Sequence, residues 1–229
     1  MMPTQDDNTT RTQLPVPVRR AAQKRRVLML ANTLPDPQGT PAARRVSALI
    51  DTLADICDLH LTILATGKLH LRAWQHAQQR CTALTVEPID AMHRRDLTLS
   101  RTVHRWQQEG HFPIVLSCSA KLWPAIRWFR QSLVVSDLEP EAQACLDPET
   151  GEPQPNAGAR RIYKDICRAA ERSGMAIVGT RAQTTPLLTR AGRSIILPSE
   201  HLAQLPGILE AFEPAEHRRA SARPLARAA

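Results

Sequence analysis

Short continuous apolar runs alternate along this chain with stretches of helical spacing. Val27-Leu28-Met29-Leu30-Ala31 is unbroken by any polar residue, the pattern of a parallel strand buried on both faces. A Pro/Gly loop follows, and then Val46, Leu49, Ile50 and Leu53 fall at i, i+3, i+4 and i+7, the apolar face of a helix. Thr40 precedes Pro41, which predicts an N-cap followed by a proline at the first helical position.

The alternation continues. Strands are predicted at Leu59–Leu64, Ala83–Val86, Pro113–Ser117, Leu133–Ser136, Met175–Val178 and Ser194–Leu197. Helices are predicted over Leu69–Gln79, Leu97–Gln108, Lys121–Phe129, Ala159–Arg172, Ala182–Arg190 and Leu202–Phe212. Glu139 to Ala157, with Pro140, Pro148, Pro153, Pro155 and Gly151, reads as a long loop. Strands alternating with helices imply right-handed crossovers and an α/β, doubly wound, mostly parallel sheet of six or seven strands. Gly39, Ser117, Asp137, Thr180 and Pro198 each follow an apolar run, so they are expected at one edge of that sheet, where open parallel sheets bind ligands.

Composition refines the picture at the ends. The chain has 229 residues, 42% hydrophobic, with a formal charge of +8. Much of the excess charge lies in Arg11, Arg19, Arg20, Lys24, Arg25 and Arg26 and in Arg218, Arg219, Arg223 and Arg227. Residues 1–24 are expected to be a disordered basic lead, 25–212 one Rossmann-like domain and 213–229 a flexible Ala/Arg tail. Such ends predict weak, salt-sensitive contact with an anionic membrane surface. No helix-turn-helix, RNA-recognition or zinc motif accompanies them, so no specific nucleic-acid partner is expected. The five cysteines are scattered, without a C-x-x-C pair, which suggests neither a disulfide framework nor a metal site and points to a reducing, cytoplasmic setting.

The chain lacks G-x-G-x-x-G, the phosphate-cradling G-x-x-x-x-G-K-[ST], G-x-S-x-G and H-E-x-x-H. Candidate chemistry therefore rests on position. Asp137 and Glu139 leave a strand at the sheet edge, where a carboxylate serves as a general base for a hydroxyl or merely caps the next segment. Gly39, Thr40 and Arg44 flank the first helix N-terminus, where an anionic ligand is met by backbone N–H groups. Ser117 and Ser119 leave another strand, as ligand contacts or helix caps. His104 and His111 read as surface residues, and Trp106, Trp123, Trp128 and Phe129 as core or interface anchors.

The order Val27-Leu-Met-Leu-Ala31, Leu34-Pro-Asp-Pro-Gln-Gly39, Arg44-Arg-Val46 with Leu49, Ile50 and Leu53, then Leu61-Thr-Ile-Leu-Ala-Thr66 resembles the amino-terminal domain of family 4 glycosyltransferases of the GT-B fold. Leu133-Val-Val-Ser-Asp137, Met175-Ala-Ile-Val-Gly-Thr180 and Ile195-Ile-Leu-Pro198-Ser199 resemble its later strands. Thr40 stands where the family usually pairs glycines, and Pro198-Ser199-Glu200 where it usually has Pro-Asn-Gly. The resemblance implies an acceptor-side half of a sugar-nucleotide-dependent transferase in polysaccharide or glycolipid synthesis. It further implies a glycan or lipid-linked acceptor and a donor domain on another chain, while the charged ends add a peripheral place at the inner membrane face. It implies Asp137 and Glu139 as catalytic, and Gly39, Thr40, Arg44, Ser117, Ser119, Thr180, Arg181, Pro198, Ser199 and Glu200 as substrate-binding, with no cofactor and no metal. Two alternatives stay open: a non-catalytic Rossmann-like binding or scaffold protein, and a basic nucleic-acid partner.

Overall fold

A computed structural model describes residues 24–65, 71–88, 106, 112–178, 195–198 and 203–211. They form a seven-stranded sheet in the order β3-β2-β1-β4-β5-β6-β7. The strands are β1 (Arg25–Ala31), β2 (Cys57–Ala65), β3 (Ala83–Pro88), β4 (Ile114–Ser117), β5 (Leu133–Asp137), β6 (Met175–Val178) and β7 (Ile195–Pro198). Every pairing is parallel, Val27 lying beside Leu59 on one side and Ile114 on the other. The fold is therefore the doubly wound α/β sheet that the alternation predicts. Strand order reverses between β1 and β4, which places the topological switch point there.

A parallel sheet needs both faces covered, because the crossovers lie on them. The side-chain period of two divides β1 accordingly: Val27, Met29 and Ala31 enter one core cluster, Leu28 and Leu30 the other. The first cluster takes Val46, Leu49, Ile50 and Leu53 from helix α1 (Pro41–Leu53), Ala77 from α2 (Leu71–Arg80), and Leu205 and Leu209 from α6 (Leu205–Ala211). The second is filled from a 3-10 turn (Ala120–Leu122), α3 (Trp123–Ile126), α4 (Glu139–Cys145) and α5 (Ala157–Arg172). The expected anchors divide: Trp106 and Phe129 are buried and Trp123 packs partly buried beside them, whereas Trp128 is 44% exposed.

Two sequence expectations need correction. Glu139 to Ala157 is not one long loop. Pro140 falls in the first turn of α4, where its missing N–H has no intrahelical partner to lose. Asp147 then closes a tight turn by accepting from the N–H groups of Glu149 and Thr150 at 3.0 and 2.9 Å, with Gly151 at φ 69°. Asn156 caps α5, its Oδ1 accepting from Ala159 N at 2.7 Å. The helix predicted over Lys121–Phe129 is shorter than expected, ending at Ile126. The predicted helices over Leu97–Gln108, apart from Trp106, and Ala182–Arg190 lie outside the described residues.

Candidate functional site

Parallel strands share a direction, so β1, β4, β5 and β7 deliver the loop containing Gly39, then Ser117, Asp137 and Pro198, to one edge. Thr180, Arg181, Ser199 and Glu200 lie outside the described residues.

Asp137 ends β5 and is 0% exposed. A bare carboxylate there would be costly. Its partner is Arg45 on α1, whose Nε donates to Asp137 Oδ2 at 2.9 Å while Nη2 lies 3.4 Å from Oδ1. The same Nη2 is 2.9 Å from Glu139 Oε2. One guanidinium thus ties α1 to the end of β5 and the start of α4, using the planar fork that lysine lacks. Burial pushes the Asp137 carboxyl above its ordinary range, and Arg45 opposes that rise. For Arg45, burial works against the charge, but Asp137 and Glu139 more than offset it and its pKa is raised.

A second network lies behind the first. Ser119 Oγ donates to Glu141 Oε1 and accepts from Asn32 Nδ2 at 3.1 Å and Lys121 N at 3.2 Å. The Asn32–Ser119 bond joins the loops that leave β1 and β4, across the switch point. Glu141 Oε1 also accepts from Ala120 N at 3.2 Å, whereas its buried Oε2 has no hydrogen-bond partner among the described residues. Burial raises the Glu141 carboxyl, the bond from Ser119 opposing it. Cys118 is buried beside these acids, and desolvation followed by the charge of Asp137 pushes its thiol well up. A thiol so placed is neutral and no nucleophile.

The open part of the site is a cavity of about 280 Å³ lined by Pro41, Arg44, Arg45, Glu139, Pro140 and Gln143. Glu139 is 14% exposed there, and its Oε1 accepts from Gln143 Nε2 at 2.8 Å. Arg44 is held over the loop by donating from Nη1 to Gly39 O at 3.2 Å. Among the sequence candidates, Glu139 and Arg44 therefore meet at one cavity. Thr40 caps α1 by accepting from Ala43 N at 3.2 Å. Gly39 packs against its own loop, where an added Cβ would stand 2.9 Å from Asp36 Cβ and 3.1 Å from Ala43 Cβ. Ser117 is 0% exposed and donates to Ser119 O at 3.2 Å. Asp137, Ser117 and Ser119 are thus satisfied inside the protein, behind the cavity wall.

Arg45, Gln143 and Glu141 are site residues that the sequence pattern does not single out. For Arg45 a signal exists: it stands one turn before Leu49, on the border of the apolar stripe, whereas Arg44 falls on the opposite side of the helix.

No protein-family model matches the chain, and no curated protein matches it. Among solved structures, the fold is similar to that of Anabaena Alr3699/HepE in complex with UDP and glucose. The TM-score is 0.50 at 11% identity, over 80% of this chain and 50% of that one. A UDP-glucosyltransferase from Polygonum tinctorium superposes with a TM-score of 0.48 at 8% identity, over 78% of this chain and 53% of that one. The chain spans about half the length of the solved structures it matches. At such identities the likeness is one of fold alone: a Rossmann-type α/β domain.

Proposed function

We propose that this chain is the acceptor-side half of a sugar-nucleotide-dependent, family 4-like glycosyltransferase in polysaccharide or glycolipid synthesis. In this reading the donor side is supplied by a separate chain. The observation that carries it is the cavity at the carboxyl edge of the sheet, where Glu139, Arg44 and Gln143 converge. A carboxylate, a guanidinium and a side-chain amide converging in one small recess match the mixed donors and acceptors of a sugar and its anionic linkage. Its volume, about 280 Å³, is at the low end for ligand cavities and suits one sugar unit rather than a whole donor nucleotide.

The roles follow from exposure. Glu139 faces the cavity and accepts the proton of an acceptor hydroxyl as that oxygen bonds to the donor's anomeric carbon and the nucleotide departs. Asp137 holds Arg45, and Arg45 orients Glu139. Arg44 meets the anionic part of the acceptor. Pro198 ends β7 at the same edge of the sheet, and Thr180, Arg181, Ser199 and Glu200 keep in this reading the substrate-binding role that the resemblance implies. A non-catalytic sugar-binding module is the second reading, favoured by the full burial of Asp137 against Arg45.

The test is reconstitution. The 229-residue chain, alone and mixed with candidate donor-domain chains, is incubated with radiolabelled UDP-glucose and a panel of glycan and lipid-phosphate-linked acceptors. Transfer is expected only when both chains are present. Binding of acceptors without transfer under any pairing supports the second reading, and transfer by the chain alone contradicts the division of labour.

A further inference from the structure

Helix α5 commits one side to the sheet, burying Ala159, Tyr163, Ile166, Cys167, Ala169 and Ala170. Its other side is basic: Arg160, Arg161, Lys164, Arg168 and Arg172 are all exposed. At 3.6 residues per turn these five fall within an arc of about 120°. Glu171 is the carboxylate inside that arc, and Asp165 sits at its border, already engaged by Trp123 Nε1 at 3.2 Å and by Arg168 at 3.7 Å. Among the described residues, no carboxylate pairs with Arg160, Arg161, Lys164 or Arg172.

The 3-10 turn and α3 pack beside α5, and this connection adds exposed Lys121 and Arg130 and half-buried Arg127. It also adds two tryptophans, each beneath a guanidinium. Arg168 lies 5.0 Å over the ring of Trp123, and Arg127 lies 4.9 Å over that of Trp128. Trp128 is 44% exposed, where large apolar groups are normally covered.

We infer that this face, formed by α5 and the connection through Trp128, docks on an anionic lipid bilayer. The cations are arginines and two lysines, groups that form strong charge-assisted bonds to phosphate. Indole rings settle at the level of lipid headgroups, with the ring body among acyl chains and the N–H toward water. The pairing of each indole with an arginine argues against nucleic acid, because a guanidinium over a ring face occupies the surface on which a base would stack. The inference does not rest on the sugar-transfer reading, since the face is formed by α5 and the connection through Trp128, none of whose residues lines the cavity.

The test uses the full chain and vesicles of phosphatidylcholine alone or mixed with phosphatidylglycerol, by co-sedimentation across a salt series. Each basic residue near an anionic leaflet multiplies partitioning about fivefold. The double variant Arg161→Glu/Lys164→Glu is therefore expected to bind mixed vesicles at least about 25-fold more weakly, with unchanged circular dichroism. Arg161→Gln/Lys164→Gln serves as a milder second variant and should fall between it and the parent. Mixed vesicles should shift tryptophan emission to the blue, and Trp128→Phe should remove most of that shift. Equal vesicle binding by parent and both double variants would overturn the inference and assign binding to the arginine-rich ends. It would equally be overturned if the variants lost duplex DNA binding while vesicle binding persisted. Acceptor binding at the cavity should be unaffected in every variant, which separates this outcome from failure of the sugar-transfer reading.

Discussion

Replacing Arg45 by alanine is expected to destabilise the protein by about 3–5 kcal/mol, the cost of leaving a buried carboxylate without its partner. Asp137 is 0% exposed, and Arg45 is its hydrogen-bonded counter-charge at 2.9 Å. The loss should depend on pH, with a sign that can be worked out. Burial raises the folded-state pKa of Asp137 above its ordinary 3.8, so the folded state holds the proton more tightly than the unfolded one. Stability tied to this group is fully present below the unfolded pKa and falls as pH rises through the folded pKa. Arg45 opposes the rise, so removing it lifts the folded pKa further and widens the window. The gap between parent and variant should be larger at about pH 7 than at about pH 5, measured by urea unfolding. A gap that is equal at both values, or wider at the lower one, would show that the Asp137 charge is not what Arg45 compensates. Pairing Arg45→Met with Asp137→Leu should recover much of the loss, because the isolated charge is gone.

The second large effect concerns Glu139. In a reconstituted transferase, Glu139→Gln is expected to lower kcat about 10²–10⁴-fold, the range of a general base, with a much smaller change in acceptor KM. The amide oxygen of the substituted side chain still accepts from Gln143 and keeps the shape of the wall, so the change isolates proton acceptance. Arg44→Ala should do the reverse, raising KM while leaving kcat close to the parent value, since the proposed role of Arg44 is to hold the acceptor and not to take a proton. Equal kcat in Glu139→Gln and parent would remove the base role from Glu139.

The topology is readable in the sequence because parallel sheets leave a strong mark. Strands buried on both faces are continuously apolar, and α1 shows its period at Val46, Leu49, Ile50 and Leu53. The segment after β5 is not readable in the same way, because proline reads as a breaker. Pro140 lies in a first turn, where it breaks nothing, and α4 brings Glu139 and Gln143 to the cavity. The site is half legible. Glu139 and Arg44 stand out because they flank a strand end and a helix start. The central role of Arg45 depends on a pairing with Asp137 across 92 positions, which local patterning does not register. Its place on the edge of the apolar stripe is the sole local hint. Ser119 and Glu141 show the same limit, since a polar network buried between loops looks in sequence like scattered polar residues.

The most direct test of the account maps binding on the protein itself. Backbone amide spectra of the isotope-labelled 229-residue chain are recorded during titration with oligosaccharides, with a soluble lipid-phosphate-linked sugar and with UDP-glucose. An acceptor-side domain predicts that one of the sugar acceptors shifts the amides of Gly39, Arg44, Arg45, Glu139 and Gln143, that Arg44→Ala weakens those shifts, and that UDP-glucose alone leaves them nearly unchanged. Shifts confined to the opposite edge of the sheet, around Arg25 and Cys57, or saturable binding of UDP-glucose at the cavity with none by any acceptor, would contradict it.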